Sequence, residues 1–173
     1  CGAPGGKTTH LATYLDASQG GKVTALDIHA HKVRLIEENA ARLGLTEVVE
    51  TQVMDARTVN EHFAPNTFDR ILVDAPCSGT GTLRRNPDMK WRWTKELLER
   101  ITNEQRAIFE KALFFLKPNG TIIYATCSVL VEENQEQVAF FEEKFGLELQ
   151  STFQSLPEEG GMDGFFAAPL RKR

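Results

Sequence analysis

Residues 22–28, Lys22-Val23-Thr24-Ala25-Leu26-Asp27-Ile28, form a short β-rich run closing on an acidic residue, and a helix-patterned stretch over 30–44 follows at once and stops at Gly44. The run reads as a buried strand, and the pair as one strand-helix unit. The same alternation extends outward in both directions. Upstream, residues 7–17 read as a helix behind a glycine turn. Downstream come a strand at 48–53, a strongly apolar strand at 68–74, a long amphipathic helix at 95–116 stopped by Pro118 and Gly120, a strand at 120–126 and a helix at 132–145. Strands separated by helices imply parallel pairing through right-handed crossovers, so the expected fold is an α/β doubly wound sheet. Two last strands, 147–153 and 164–170, have no helix between them and are expected to form an antiparallel edge hairpin.

The 173 residues have the size of one domain, and no repeat, linker or low-complexity segment interrupts them. With 41% hydrophobic and 25% charged residues the composition is that of a soluble globular protein with a sizeable core. Cys1, Cys77 and Cys127 are an odd number at wide spacing, which argues against a disulfide framework or a zinc site and fits free thiols in the reducing cytoplasm. No apolar run is long enough to span a membrane and no signal peptide opens the chain. A net charge of −4 argues against a globally basic nucleic-acid binder while allowing a local basic patch. A monomer is expected.

Cys1-Gly2-Ala3-Pro4-Gly5-Gly6-Lys7-Thr8 is a glycine-rich turn that leads into a helix. Glycines let backbone approach a ligand closely. Such a turn normally follows a strand, so the first, central strand of the sheet is expected upstream of Cys1. Three ligands can use a turn of this kind. A P-loop would need glycine where Cys1 stands, although Asp74 at the end of Ile71-Leu72-Val73 imitates the acidic strand of a nucleotide hydrolase. The dinucleotide pattern GxGxxG is not met either. S-adenosylmethionine, with its cationic sulfonium, needs close backbone contacts rather than a phosphate nest. Asp27, about twenty residues beyond the turn, is placed to accept both ribose hydroxyl protons, and Asp55, after the next strand, to sit by the adenine edge. One acidic residue at a strand end caps a helix as readily as it binds a ligand. Three of them, Asp27, Asp55 and Asp74, on successive strand ends around one crevice point to the ligand.

Two further motifs close strands: Asp74-Ala75-Pro76-Cys77-Ser78 and Ala125-Thr126-Cys127-Ser128. A lone buried cysteine is usually core filler, but two at strand ends beside a presumed cofactor crevice are candidates for chemistry. The ordered set CGAPGGKT, ALD, DAPCSGTG, NPDMKW and ATCSVLVEEN, with the terminal GMDGFFAAPLRK, resembles the Sun-type RNA cytosine-5 methyltransferases over essentially the whole chain. The paired cysteine motifs are specific to that family; the glycine turn alone is not.

The resemblance implies a Rossmann-like class I methyltransferase sheet, S-adenosylmethionine as cofactor and RNA as partner, with 16S ribosomal RNA as substrate. It implies Cys127 as the thiolate that adds to cytosine carbon 6, Cys77 as the residue assisting release, and Asp74 as a hydrogen-bond partner of the base. Lys7 is expected to bind the cofactor or position the base. Cys1, Gly2, Ala3, Pro4, Gly5, Gly6 and Lys7 would line the cofactor with Asp27, Asp55 and Asp74. The chemistry explains the residue types: carbon 5 of cytosine is a weak nucleophile until a thiolate at carbon 6 makes it enamine-like. Cytosine-5 DNA methyltransferases take their nucleophile from the Pro-Cys motif, here Cys77. The second cysteine, in Thr-Cys-Ser, favours the RNA scheme. A methyltransferase for tRNA or DNA, a P-loop-like hydrolase and a scaffold that has lost catalysis are the alternatives.

Leu83-Arg84-Arg85-Asn86-Pro87-Asp88-Met89-Lys90-Trp91-Arg92-Trp93 packs four cations and two tryptophans into eleven residues. Phosphate neutralisation plus stacking is how single-stranded RNA is held, which makes Arg84, Arg85, Lys90 and Arg92 the candidate RNA contacts. The tryptophans also read as core plugs, and the two readings combine if Trp91 is buried while the arginines face RNA. Gly79 and Gly81 are expected to let this loop move. An RNA-binding domain upstream is a further implication of the resemblance.

Overall fold

A computed structural model describes residues 2–58, 62–158 and 161–172. The chain divides into two units, Cys1–Val59 and Asn60–Arg173, each with its own sheet.

In the first unit, β1 (Val23–Asp27) pairs in parallel with β2 (Val49–Val53), with Asp27 opposite Val53. The crossover is α2 (Ala30–Arg42), which buries Val33, Ile36 and Ala40. That spacing puts the three side chains on one helical face, packed on both strands. Residues 2–5 form the glycine turn, and α1 (Gly6–Ala12) follows. The helix is shorter than the expected 7–17. Asp16 accepts hydrogen bonds from Ser18 N and Oγ and from Gln19 Nε2, and so starts a separate 3-10 turn over Ala17–Gln19. Local side-chain bonding of this kind competes with helix.

The second unit has the sheet order β3-β4-β7-β5, with β6 also on β7. β3 (Phe68–Asp74) and β4 (Leu116–Thr126) are parallel, with Asp74 opposite Ala125. Between them runs α3 (Lys95–Phe114), which Thr94 caps by accepting Leu97 N at 3.1 Å. β4 makes one pairing at Leu116 and resumes at Thr121, because Pro118 has no N–H to give and Asn119 turns left-handed at φ 62°. α4 (Gln135–Phe145) follows a 3-10 turn over Val131–Glu133. Phe109 of α3 stacks on Phe141 of α4 at 3.7 Å, and Tyr124 of β4 meets Phe141 edge-on at 5.3 Å. These rings are fully buried, each contributing roughly 2–3 kcal/mol by area. The layer fixes the two helices against β4.

The C-terminal hairpin is antiparallel, as expected, with β7 (Phe165–Arg171) as its inner strand against β4. The outer strand expected at 147–153 is two short pieces, β5 (Glu148–Leu149) and β6 (Phe153–Ser155), both paired to β7.

Behind the end of β4 two backbones cross at glycines. Gly81 N donates to Cys127 O at 2.9 Å, and Gly164 N donates to Gly81 O at 2.8 Å. A Cβ on Gly81 would lie 2.1 Å from Gly164 O and 2.8 Å from Cys127 O. Gly81 is therefore a packing glycine pinned on both sides, not the hinge expected for a moving loop. We expect Gly81→Ala to lower the unfolding free energy by about 1–3 kcal/mol in urea denaturation. Gly6→Ala, where nothing lies within 4 Å, should change it by less than about 1 kcal/mol. A Gly81→Ala protein as stable as wild type would contradict the crossing.

Candidate active site

In the first unit the glycine turn is held to the end of β1. Gly2 N donates to Leu26 O at 2.9 Å and Ala3 N to Asp27 Oδ2 at 3.4 Å. Asn39 Nδ2 donates to Pro4 O at 2.9 Å from α2. Gly5 sits at φ 102°, and a Cβ there would meet Ile36 Cα at 3.1 Å, so the turn needs glycine twice over. Gly6 faces open space where a side chain would project. Lys7 is exposed in the first turn of α1. Cys1 lies outside the described residues.

Asp27 is 3% exposed at the carboxyl end of β1. Burial raises its pKa, and the N–H donors of His29 and Ala3 and the charge of Lys32 lower it. It is an anion in the wall of the turn. Met54 N donates to Asp27 O at 2.9 Å, which carries the β1–β2 pairing on toward Asp55. Arg57 grips Asp55 with Nε on Oδ1 at 3.0 Å and Nη2 on Oδ2 at 2.6 Å, and its hydrogen bonds hold that carboxyl low as well.

In the second unit, parallel pairing brings Asp74, Cys77 and Cys127 to the same ends of two adjacent strands. Asp74 closes β3, and Ala75 N still donates to Ala125 O at 2.8 Å. Beyond that bond the chain turns at Pro76, and the Cys77 and Cys127 sulfurs come to 3.2 Å of each other. Both residues are half-buried. Cys127 N also points at Cys77 Sγ at 3.4 Å. The Cys127 sulfur as hydrogen-bond partner, then burial and the repulsion of a second sulfur charge push the Cys77 thiol far above its ordinary range.

Side chains that the motif reading passed over hold this pair. Glu133, fully buried, accepts from Ser78 and Ser128, the residues that follow the two cysteines. Asn134 accepts from Thr126 Oγ1 at 2.6 Å and donates to Ser128 O at 2.9 Å. The available signal was the serine after each cysteine, together with the Glu132-Glu133-Asn134 run in the second motif.

The cation-rich loop divides in two. Arg84 donates to Glu158 O at 3.2 Å and Gly161 O at 2.8 Å, and Arg85 Nε meets the buried Asp163 at 2.8 Å. These arginines brace the loop against the chain ahead of β7. Lys90 and Arg92 are exposed. Trp91, for which a core plug was one of two readings, is 77% exposed, with Lys90 Nζ over its ring at 4.8 Å. The 3-10 turn Pro87–Trp91 buries none of its residues, which is why Trp91 finds no core. Among the described residues no group of His, Cys, Asp and Glu forms a metal site, and no helix is long and apolar enough to cross a membrane.

The family model for 16S rRNA methyltransferase RsmB/F matches residues 1–171. The chain is 41% identical over 191 residues to a probable ribosomal RNA small subunit methyltransferase B of Bacillus subtilis, and 40% identical over 174 residues to the ribosomal RNA small subunit methyltransferase B of Proteus mirabilis. Each alignment takes in the whole chain, which spans 42% and 40% of the lengths of those relatives. Among solved structures it is similar to NSun6 from Pyrococcus horikoshii with SFG, an analogue of S-adenosylmethionine, at TM-score 0.86 and 33% identity, covering 98% of this chain and 46% of that one. A methyltransferase homolog from the same organism gives 0.84 at 28%, with coverage of 99% and 59%.

The sulfur pair yields a pH prediction. A thiol whose pKa is raised stays neutral where an ordinary thiol, near about 8.5, has ionised. Iodoacetamide labelling of Cys77, followed by mass spectrometry, should inflect above the ordinary thiol range. In Cys127→Ala the inflection should move down. An ordinary inflection for Cys77 in the wild-type protein would contradict the arrangement.

Proposed function

The chain belongs to the RsmB/F family of 16S rRNA methyltransferases, and from that premise we propose that it methylates carbon 5 of a cytosine in ribosomal RNA through a covalent bond to Cys127. The observation that carries the reading is the sulfur pair, two thiols 3.2 Å apart at the ends of adjacent parallel strands. Methylation of an amine or a hydroxyl has no use for such a pair. Addition to a pyrimidine ring and release from it need one sulfur to attack and a second group to take a proton.

S-adenosylmethionine, when bound, supplies an electrophilic methyl group on a sulfonium. The turn Gly2–Lys7, Asp27 and Asp55 would hold it. The buried anion Asp27, accepting the turn's own Ala3 N–H, supports a cofactor with hydroxyls and a positive charge over a phosphate, which that carboxylate would repel. The P-loop alternative loses ground on the same bond.

In the proposed reaction the Cys127 thiolate adds to carbon 6 of the base, and the electron pair of the 5,6 double bond moves to carbon 5. Asp74 hydrogen-bonds the base and steadies the charge that develops there. Carbon 5 takes the methyl, and the carbon–sulfur electron pair stays with the departing thioether sulfur. Once Cys127 is itself a thioether, its negative charge no longer opposes ionisation of Cys77. Cys77 then loses its proton to solvent and takes the proton from carbon 5. The 5,6 double bond re-forms and the bond to Cys127 breaks, returning the thiolate. One proton is released per methyl transferred, so the cycle balances. The choice of Cys127 over Cys77 as the attacking sulfur is supported by the Thr126-Cys127-Ser128 motif and its family resemblance.

Lys90, Trp91 and Arg92 are the exposed face proposed to grip RNA, by charge and stacking. Arg84 and Arg85 contribute mainly by holding that loop, with the exposed side of Arg85 available to a phosphate. The proposed substrate is an unpaired or extruded cytosine, since a stacked one hides carbon 6.

The test is trapping on RNA containing 5-fluorocytosine, whose fluorine blocks the release step. The intact protein should form a covalent adduct at Cys127. Cys127→Ala should form none, and Cys77→Ala should form it and also accumulate adduct on unmodified RNA. An adduct that persists in Cys127→Ala and vanishes in Cys77→Ala would overturn the assignment.

A further inference from the structure

Each cysteine of the pair is followed by a serine, and both serines end on one side chain. Glu133 lies at the end of the 3-10 turn Val131–Glu133 and is fully buried. Its Oε1 accepts Ser78 N at 2.8 Å and Gln105 Nε2 at 3.1 Å. Its Oε2 accepts both hydroxyls, Ser78 Oγ and Ser128 Oγ. Its backbone carbonyl accepts Tyr124 OH at 2.7 Å, which ties the turn to the aromatic core. Gln105 Nε2 also reaches Pro76 O at 3.0 Å, and Asn134 holds Thr126 and Ser128. The residues on either side of each cysteine are thus fixed, Pro76 and Ser78 around Cys77 and Thr126 and Ser128 around Cys127.

Burying a carboxylate is costly, and among the described residues no lysine or arginine forms an ion pair with Glu133. Four donated hydrogen bonds compensate it instead. Packing alone would be met by an apolar side chain of similar volume. Only an acceptor with two oxygens can take both serine hydroxyls and a backbone N–H together; an amide would turn its NH2 toward donors. The arrangement therefore answers a need for spacing.

We infer that Glu133 is a positioning residue: as the common acceptor of Ser78 and Ser128 it sets the distance between the Cys77 and Cys127 sulfurs, and so the handover from attack by one to release by the other. The catalytic half of this statement rests on the reading of Cys127 as nucleophile; the geometric half does not. A displacement of about 1 Å at a reacting group is enough to cost roughly 100-fold in rate. Release suffers more than addition, because Cys77 must reach the proton on carbon 5 while Cys127 is already bonded.

Two measurements on the intact protein test it, each in Glu133→Gln and in Ser78→Ala, the milder change that keeps three of the four bonds. The first is closure of a Cys77–Cys127 disulfide by diamide without RNA, in which two thiols give two electrons and two protons to the diazene. Closure should slow about ten-fold in Glu133→Gln and several-fold in Ser78→Ala. The second is the fraction of protein held as RNA adduct relative to turnover, with S-adenosylmethionine and RNA present. That ratio should rise about ten-fold in Glu133→Gln, whereas mere loss of folded protein lowers both quantities together. Unchanged closure rates overturn the inference, and slowed closure with an unchanged ratio overturns its catalytic half. If Glu133→Gln does not fold, Ser78→Ala decides both. A wild-type protein that forms no Cys127 adduct defeats the proposed reaction, and the closure rates still judge the clamp.

Discussion

The parallel pairing of β3 with β4 is the constraint on which the second unit depends. With Asp74 opposite Ala125, the chain leaves both strands at one level, and three residues after one strand and one after the other suffice to bring two sulfurs to 3.2 Å. A slip of one residue would turn every side chain of a strand to the opposite face. The register is protected from both sides. Leu116, Ile122 and Tyr124 are fully buried in β4, and β7 pairs antiparallel along its other edge. The strand that leads into Cys127 is therefore an interior strand of its sheet, with little freedom to shift.

Beyond the strand ends, polar bonding takes over from apolar packing. Ser78, Thr80, Gln105, Thr126, Ser128, Glu133 and Asn134 form a connected network, most of it buried. Such a network is costly when half satisfied and rigid when complete; here, among the described residues, the Gln105 Oε1 is left without a partner, while its Nε2 and both Glu133 oxygens are bonded. The Gly81–Gly164 crossing adds a steric stop behind Cys127. Rigidity here has a chemical use. In the proposed reaction the two thiols act in sequence on adjacent ring carbons, which calls for fixed separation more than reach.

The strand and helix order was legible in the sequence because period and punctuation agreed over long stretches, as in 22–28, 30–44 and 68–74. What was misread came from local bonding that a periodicity does not see. Asp16 caps a separate 3-10 turn inside the stretch that reads as one helix, and Pro118 with Asn119 looped β4 open ahead of Thr121. Asp27, Asp74, Cys77 and Cys127 stood out because reactive types recurred at strand ends. Glu133 did not, since a glutamate near a helix start looks like any solvated one until its burial is known. Trp91 carried two readings, stacking and core plug, and the core plug fails because the short 3-10 turn carrying it buries nothing. Gly81 was read as freedom where close approach was the requirement.

Methyl transfer through a covalent cysteine adduct differs from transfer without one in one respect: the hydrogen on carbon 5 must leave after a sulfur has added beside it. RNA carrying tritium at carbon 5 of cytosine reports that step directly. With S-adenosylmethionine and the intact protein, the account requires one tritium released to water for each methyl group incorporated. Methyl incorporation without tritium release would place the methyl on another atom and contradict the role assigned to Cys127.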